Sequence, residues 1–202
     1  MVNIFFTADY HFAHANILKF TQRPFANITE MNEKLIANTN EIVKQGDHLY
    51  ILGDFAWKEH KHFIHALNGK KYLIKGSHDS MNGDALRLFS EVHEGMLVRT
   101  FDKQPFVLTH CAMLVWERSH YGAINLHGHS HGRIREMDDR RRMDVGMDVN
   151  DYRPVSLEFI RHIMDKRTYG GKASGDELQA NVDLLRERNC KLAEEFNART
   201  SP

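Results

Sequence analysis

Asp9 and His11 stand as D-x-H at the end of the apolar run NIFFTAD. Asp54 closes HLYILGD, and Ser77, His78 and Asp79 follow KKYLIKG. His110 follows PFVLT, and His129 and His131 follow AINLHG as GHSH. Imidazole and carboxylate are ligands for first-row divalent metals. Any one of these motifs is weak, because a lone GD or D-x-H is more often a surface pair or a satisfied core pair. All of them in order, each directly after an apolar run, make a pattern that points to metal chemistry at one rim.

The apolar runs must position these groups. NIFFTAD (3–9), HLYILGD (48–54) and KKYLIKG (70–76) are too short for helices and rich in strand formers. Residues 29–44 carry Met31, Leu35, Ile36, Ile42 and Val43 at helical spacing, and Gly46 is expected to end that helix. Residues 61–67 and DALRLF also read as helical. GMLVRTF and PFVLTH form two strands around the turn DKQ, AINLHG is another, and RRMDVGMDV is a further strand region. Ser156 is the expected N-cap of a helix over 157–166. Strand alternating with helix, then mostly strands, predicts two sheets, the first mainly parallel with helices outside. Strand carboxyl ends in such sheets converge on one rim where ligands bind. In an extended chain, Asp9 and His11 would point one way, as would His129 and His131, with Tyr10 pointing away.

The chain has 202 residues, 27 basic and 27 acidic side chains, and 14 histidines. Its length allows one sizeable core. Balanced charge argues against a nucleic-acid coating protein but leaves a nucleotide substrate open. The start MVNIFFTADYHF has no basic n-region, so neither a signal peptide nor a membrane span is expected, and the cytoplasm is the default location. Cys111 and Cys190 are too few for a disulfide scaffold, and Cys111 reads as a packed residue beside His110.

The expected domain covers 1–166, with a small and polar linker over 167–175 and an amphipathic helix over 176–202. In that helix Leu178, Val182, Leu185, Asn189, Leu192 and Phe196 form a heptad stripe. Self-association through 176–199 and packing back onto the domain are both open.

TADYHFAH, LGDF, KGSHD, LTHC and HGHSHG resemble the signature blocks of the calcineurin-like metallophosphoesterases. DVGMDVNDYRPVS is similar to the small bacterial and phage members. The resemblance covers about residues 1–165 and implies a four-layer α/β/β/α sandwich: two mixed sheets with helices outside, here followed by the C-terminal helix. It implies two divalent ions, drawn from Mn, Fe, Ni or Zn. Asp9, His11 and His131 would hold one, His110 and His129 the other, and Asp54 would bridge them. The implied reaction is hydrolysis of a phosphodiester or phosphomonoester by a metal-bridging hydroxide. His78 would assist the leaving group and Asp79 would orient His78.

Ser77 departs from the family, which places Asn there as a ligand to the second metal. A serine hydroxyl is shorter and a poorer neutral ligand, so a weak or water-mediated contact is expected. His14, Arg118, His120 and Tyr121 are candidate substrate contacts. The five arginines of RIREMDDRRRM suit either a polyanionic substrate or a solvated turn. The expected partner is a nucleotide or other small phosphate ester, with nucleic acid and membrane disfavoured. A metal-poor scaffold of the same fold is the non-enzymatic alternative, and a nuclease the third.

Overall fold

The computed structural model describes residues 2–134 and 140–167, and in the C-terminal stretch residues 179, 180, 182–184, 186 and 187. The chain divides into two compact units, Met1–Tyr169 and Gly170–Pro202. In the second unit the described residues are helical, with the Gln179 amide donating to Asp183 at 2.9 Å. Most of the expected linker and heptad stripe lies outside the described residues.

The first sheet contains β1 (Ile4–Thr7), β2 (His48–Ile51), β3 (Lys70–Ile74), β4 (Glu91–His93) and β9 (Val155–Ser156), in the order β4-β3-β2-β1-β9. All its pairings are parallel except β1 with β9. The second contains β5 (Met96–Phe101), β6 (Gln104–Thr109), β7 (Ile124–His127) and β8 (Arg142–Asp144), in that order. There β5 is antiparallel to β6, while β6, β7 and β8 run parallel. The fold is therefore α/β, with two mixed sheets and helices.

Strand alternation sorts the core. Phe5, Leu49, Ile51 and Leu73 face Met31 and Leu35 of α2 (Ile28–Ile42) and Phe63 and Ile64 of α3 (His60–Ala66). Phe6, Tyr50, Leu52, Tyr72 and Ile74 face the other way and pack on Phe106, Leu108, Ile124 and Leu126 of the second sheet. Phe6 bridges the sheets, stacked 5.4 Å from Tyr50 and 6.0 Å from Phe106. A one-residue slip in β1 would exchange these two faces. The outer face of the second sheet carries a smaller cluster of Val107, Trp116 and Ala123.

Caps set the helix limits. Asn27 accepts the Glu30 N–H, and the Glu30 carboxylate accepts the Ala26 N–H, starting α2. The helix stops at Ile42 rather than Gly46, because the Asp47 carboxylate captures the N–H groups of Lys44 and Asn3. Ser156 accepts the Phe159 N–H and starts α5 (Leu157–Met164), as expected. Two more short helices, α1 (Ile17–Phe20) and α4 (Gly83–Leu86), lie in the connections. The expected strand over 141–149 stops at Asp144, and Met147–Val149 turns as a 3-10 helix. Among the described residues, no helix is long and apolar enough to cross a membrane.

Candidate metal centre

The carboxyl ends of β1, β2, β3, β6 and β7 meet at one rim, where each apolar run breaks. Asp9, His11 and His131 offer ligand atoms within 4.8 Å of one another, and so do Asp54, His110 and His129. The Asp54 carboxylate lies between the groups: its Oδ2 is 3.6 Å from His11 Nε2 and 3.4 Å from His110 Nε2.

The ligands converge in a way that alternation does not provide. Asp9, His11, Asp54, His129 and His131 all have positive φ, between 48° and 67°. A left-handed non-glycine residue costs roughly 1–3 kcal/mol when its surroundings do not favour it. The surroundings here fix each turn: the Asp9 N–H donates to Gly53 O, the His11 N–H to Asp54 O, and the His129 N–H to Asp9 Oδ2. The expectation of two extended D-x-H and H-x-H pairs is thus corrected; tight turns, not pleating, aim the side chains. Tyr10 does point away, its hydroxyl 2.9 Å from Thr39 on α2.

Close backbone approach needs glycine at two of these turns. A Cβ on Gly128 would lie 2.4 Å from Ala8 Cβ and 2.5 Å from Asp9 Oδ2. One on Gly53, whose φ is +88°, would lie 2.4 Å from His110 Nδ1.

The groups present fit divalent cations. Asp9 Oδ1 and His11 Nε2 are buried and lack a hydrogen-bond partner. Such orphaned atoms are costly unless something pairs with them. Burial pushes the Asp9 carboxyl up to about 7, against the pull of His131 and His110. Burial also drives His11 down to about 3, so its imidazole is the neutral, ligating form. His110 Nδ1 lies 2.8 Å from Leu52 O, a contact that selects the Nδ1–H tautomer and leaves Nε2 facing the site. The set of carboxylates and imidazoles suits Mn, Fe, Ni or Zn.

Two residues absent from the sequence reading support this cradle. Asp148 Oδ2 is 2.8 Å from His131 Nδ1. Arg23, whose side chain is fully buried, donates to both Asp148 oxygens at 2.9 and 2.7 Å, and to the carbonyls of Tyr10 and Asp9. Burial opposes charge on both members of the His131–Asp148 pair, but their contact wins: His131 is raised, and Asp148 is held well below the usual carboxylate range. Nothing in FTQRPF marked Arg23, which meets its partner across 125 positions.

Asp79 does not orient the His78 imidazole. Its buried carboxylate accepts the N–H groups of Asp54, Phe55 and Gly76, each at 2.8 Å. It builds the turns on which Asp54 and His78 sit. His78 is half-exposed; its N–H donates to Asp54 Oδ1 at 2.9 Å, and its Nε2 lies 4.0 Å from Asp54 Oδ2. Ser77 is exposed beside it, and its hydroxyl makes no hydrogen bond with the described residues.

A cavity of about 890 Å³ opens over the rim, and His14, His78 and Asp54 line it. Arg118, His120 and Tyr121 do not. Residues 119–121 form a 3-10 helix before β7, whereas His129 and His131 follow β7, so the expected contacts fall at the wrong strand end. Of the arginine run, residues 135–139 lie outside the described residues. Arg133 lines the cavity, while Arg140 and Arg142 donate to the carbonyls of Leu114 and Met113. Cys111 is exposed rather than packed.

Comparison with known proteins finds relatives spanning nearly their whole length. Protein MJ1445 of Methanocaldococcus jannaschii, itself uncharacterised, is 32% identical over 178 residues, covering 82% of this chain and 93% of its own. The gene 66 protein of Mycobacterium phage D29 is 30% identical over 184 residues, covering 74% and 89%. Among solved structures, the protein of unknown function AQ665 from Aquifex aeolicus has a TM-score of 0.65 at 22% identity, over 81% of this chain and 100% of its own, and so shares the fold. No protein-family model matches the chain.

Proposed function

The chain belongs to one family with MJ1445 and the phage gene 66 protein, and on that premise we propose that it is a calcineurin-like metallophosphoesterase, a metal-dependent hydrolase of phosphodiesters or phosphomonoesters. The observation that carries this reading is the place of Asp54 Oδ2, 3.6 Å from a ligand nitrogen of one group and 3.4 Å from one of the other. One carboxylate so placed suits two cations sharing a ligand.

Asp9, His11 and His131 would hold one divalent ion, and Asp54, His110 and His129 the other. When bound, such ions supply Lewis acidity and positive charge beside a phosphoryl group. The remaining work falls to the protein. His11 enters as a neutral ligand because burial keeps the proton off it. The Asp148 contact fixes His131 so that Nε2 faces the site. Half-exposed at the cavity, His78 can carry a proton to the departing oxygen, and its backbone is locked by Asp54. Asp79 holds the turns in place. The volume of the cavity, about 890 Å³, supports a small phosphate ester of a nucleotide or similar alcohol as the substrate.

Ser77 takes the position at which the family carries an asparagine ligand, so the Asp54–His110–His129 group would hold an ion loosely.

Hydrolysis of bis(p-nitrophenyl) phosphate and p-nitrophenyl phosphate, with manganese added, tests the proposal. We expect turnover of at least one, lost in Asp54→Asn. A manganese-loaded wild type inert on both would overturn it.

A further inference from the structure

The cavity over the metal centre carries an aromatic shelf that the chemistry above does not use. Trp57 is 55% exposed and Phe20 is 62% exposed. Both line the cavity together with His78, Lys58 and Arg133. Single exposed aromatics are ordinary. Two on one rim, beside groups that handle phosphate, are a binding arrangement.

The shelf is ordered in advance. The Trp57 indole stacks on the His14 ring, 4.8 Å between centroids and 15° between planes. His14 Nδ1 lies 3.4 Å from His11 Nδ1, so the stack starts at a metal-centre residue. The rings of Trp57 and His78 are 5.8 Å apart. Trp57 N–H donates to Phe12 O at 2.8 Å, which pins its backbone. Phe20 stands edge-on to His14 at 6.3 Å, and the Arg133 guanidinium donates to the Phe20 carbonyl at 3.2 Å. Lys58 is exposed and forms no ion pair among the described residues. A ring already held in place loses little freedom when a ligand stacks on it.

The geometry points to a nucleoside phosphate ester as the substrate: the base stacks on the face of the Trp57 indole that His14 leaves open, and its phosphate lies toward His78 and Asp54. This assignment rests on the hydrolase reading and narrows its substrate class. A base offers a planar π-face that matches an exposed indole. An alcohol without a ring would leave Trp57 and Phe20 wet. Lys58 and Arg133 supply positive charge for additional phosphate oxygens. Stacking of this kind tolerates any base, so the shelf selects for a nucleoside rather than for one sequence letter.

Two measurements test it. First, manganese-loaded wild type and Trp57→Ala are compared on a nucleoside 5′-monophosphate against glycerol phosphate, and on the methyl diester of each. The expected result is a wild-type preference for the nucleoside ester, and a loss in kcat/KM on the order of tenfold greater for that ester than for the glycerol ester in Trp57→Ala. No wild-type preference, or equal losses on both, would overturn the shelf and leave Trp57 as a support for His14. A preference for a short oligonucleotide over the mononucleotide would also overturn the assignment. Second, the chain has two tryptophans, and Trp116 is buried. Quenching of indole fluorescence by a nucleoside monophosphate is expected in wild type and in Trp116→Phe, and is expected to vanish in Trp57→Leu. If every ester is inert, the hydrolase reading fails while quenching still decides the shelf; quenching absent from wild type, or kept in Trp57→Leu, would sink the shelf alone.

Discussion

His131 Nδ1 lies 2.8 Å from Asp148 Oδ2, and Asp148 is gripped from its other side by the buried guanidinium of Arg23. Arg23 also binds the carbonyls of Asp9 and Tyr10, so one side chain braces a turn from the first sheet against one from the second. Asp148→Asn is expected to weaken metal binding about 10- to 100-fold. Titration calorimetry on the folded variant measures this directly. Arg23→Met leaves Asp148 buried without its cation and is expected to cost about 3–5 kcal/mol in urea unfolding.

His78 has no metal-ligand role in this geometry. His78→Ala is expected to lower kcat by about 10²- to 10⁴-fold while metal content stays at the wild-type value. Plasma emission spectrometry on the purified variant checks the second half. Loss of metal in parallel with activity would make His78 part of the cradle instead.

Ser77→Asn places an amide oxygen at the turn beside Asp54. The variant is expected to bind its second manganese ion more tightly than wild type, with the first unchanged. Equal affinities in a two-site titration would remove Ser77 from the account of the metal centre.

Gly128→Ala adds a methyl group where 2.4 Å separates the new carbon from Ala8 and 2.5 Å from Asp9 Oδ2. Backbone or carboxylate must move. The expected result is a loss of roughly 1–3 kcal/mol in stability, as for other overpacked sites, together with weakened binding at the Asp9 group. Gly46→Ala, which meets nothing within 4 Å, is the control.

Asp47 gives the acid limb of stability a defined sign. Burial pushes its carboxyl upward, but the N–H groups of Lys44 and Asn3 outweigh this, and its pKa is lowered from the ordinary 3.8. The unfolded chain therefore takes up the proton first. The contribution is fully present above pH 3.8 and drains away as pH falls through the lower folded value. Asp47→Asn should flatten unfolding free energy against pH below 4, followed by circular dichroism.

Much of this was legible because apolar runs end abruptly at polar letters. The runs at 3–9, 48–54 and 70–76 gave β1, β2 and β3, and the histidines after them fell on the rim. The edge strands β4 and β9 escaped because EVH and VS are too short to show a period. The left-handed turns at Asp9 and His11 escaped because a positive φ is uncommon outside glycine, and the enrichment of Asp and His there is too weak to mark single positions. Arg23, Asp148 and the carboxylate of Asp79 depend on partners distant in sequence or on backbone N–H groups, and neither leaves a local pattern. Trp57 left no local signal either, because its ring meets His14 from a distant part of the chain.

Each half of the metal centre draws on both sheets: Asp9 and His11 come from the end of β1 and His131 from beyond β7, while Asp54 follows β2, with His110 and His129 beyond β6 and β7. An ion seated in either half is a rivet through the sandwich. Ligand binding to the native state raises its stability by mass action, so a chelator that strips such an ion is expected to loosen the joint between the two layers, whatever it does to turnover.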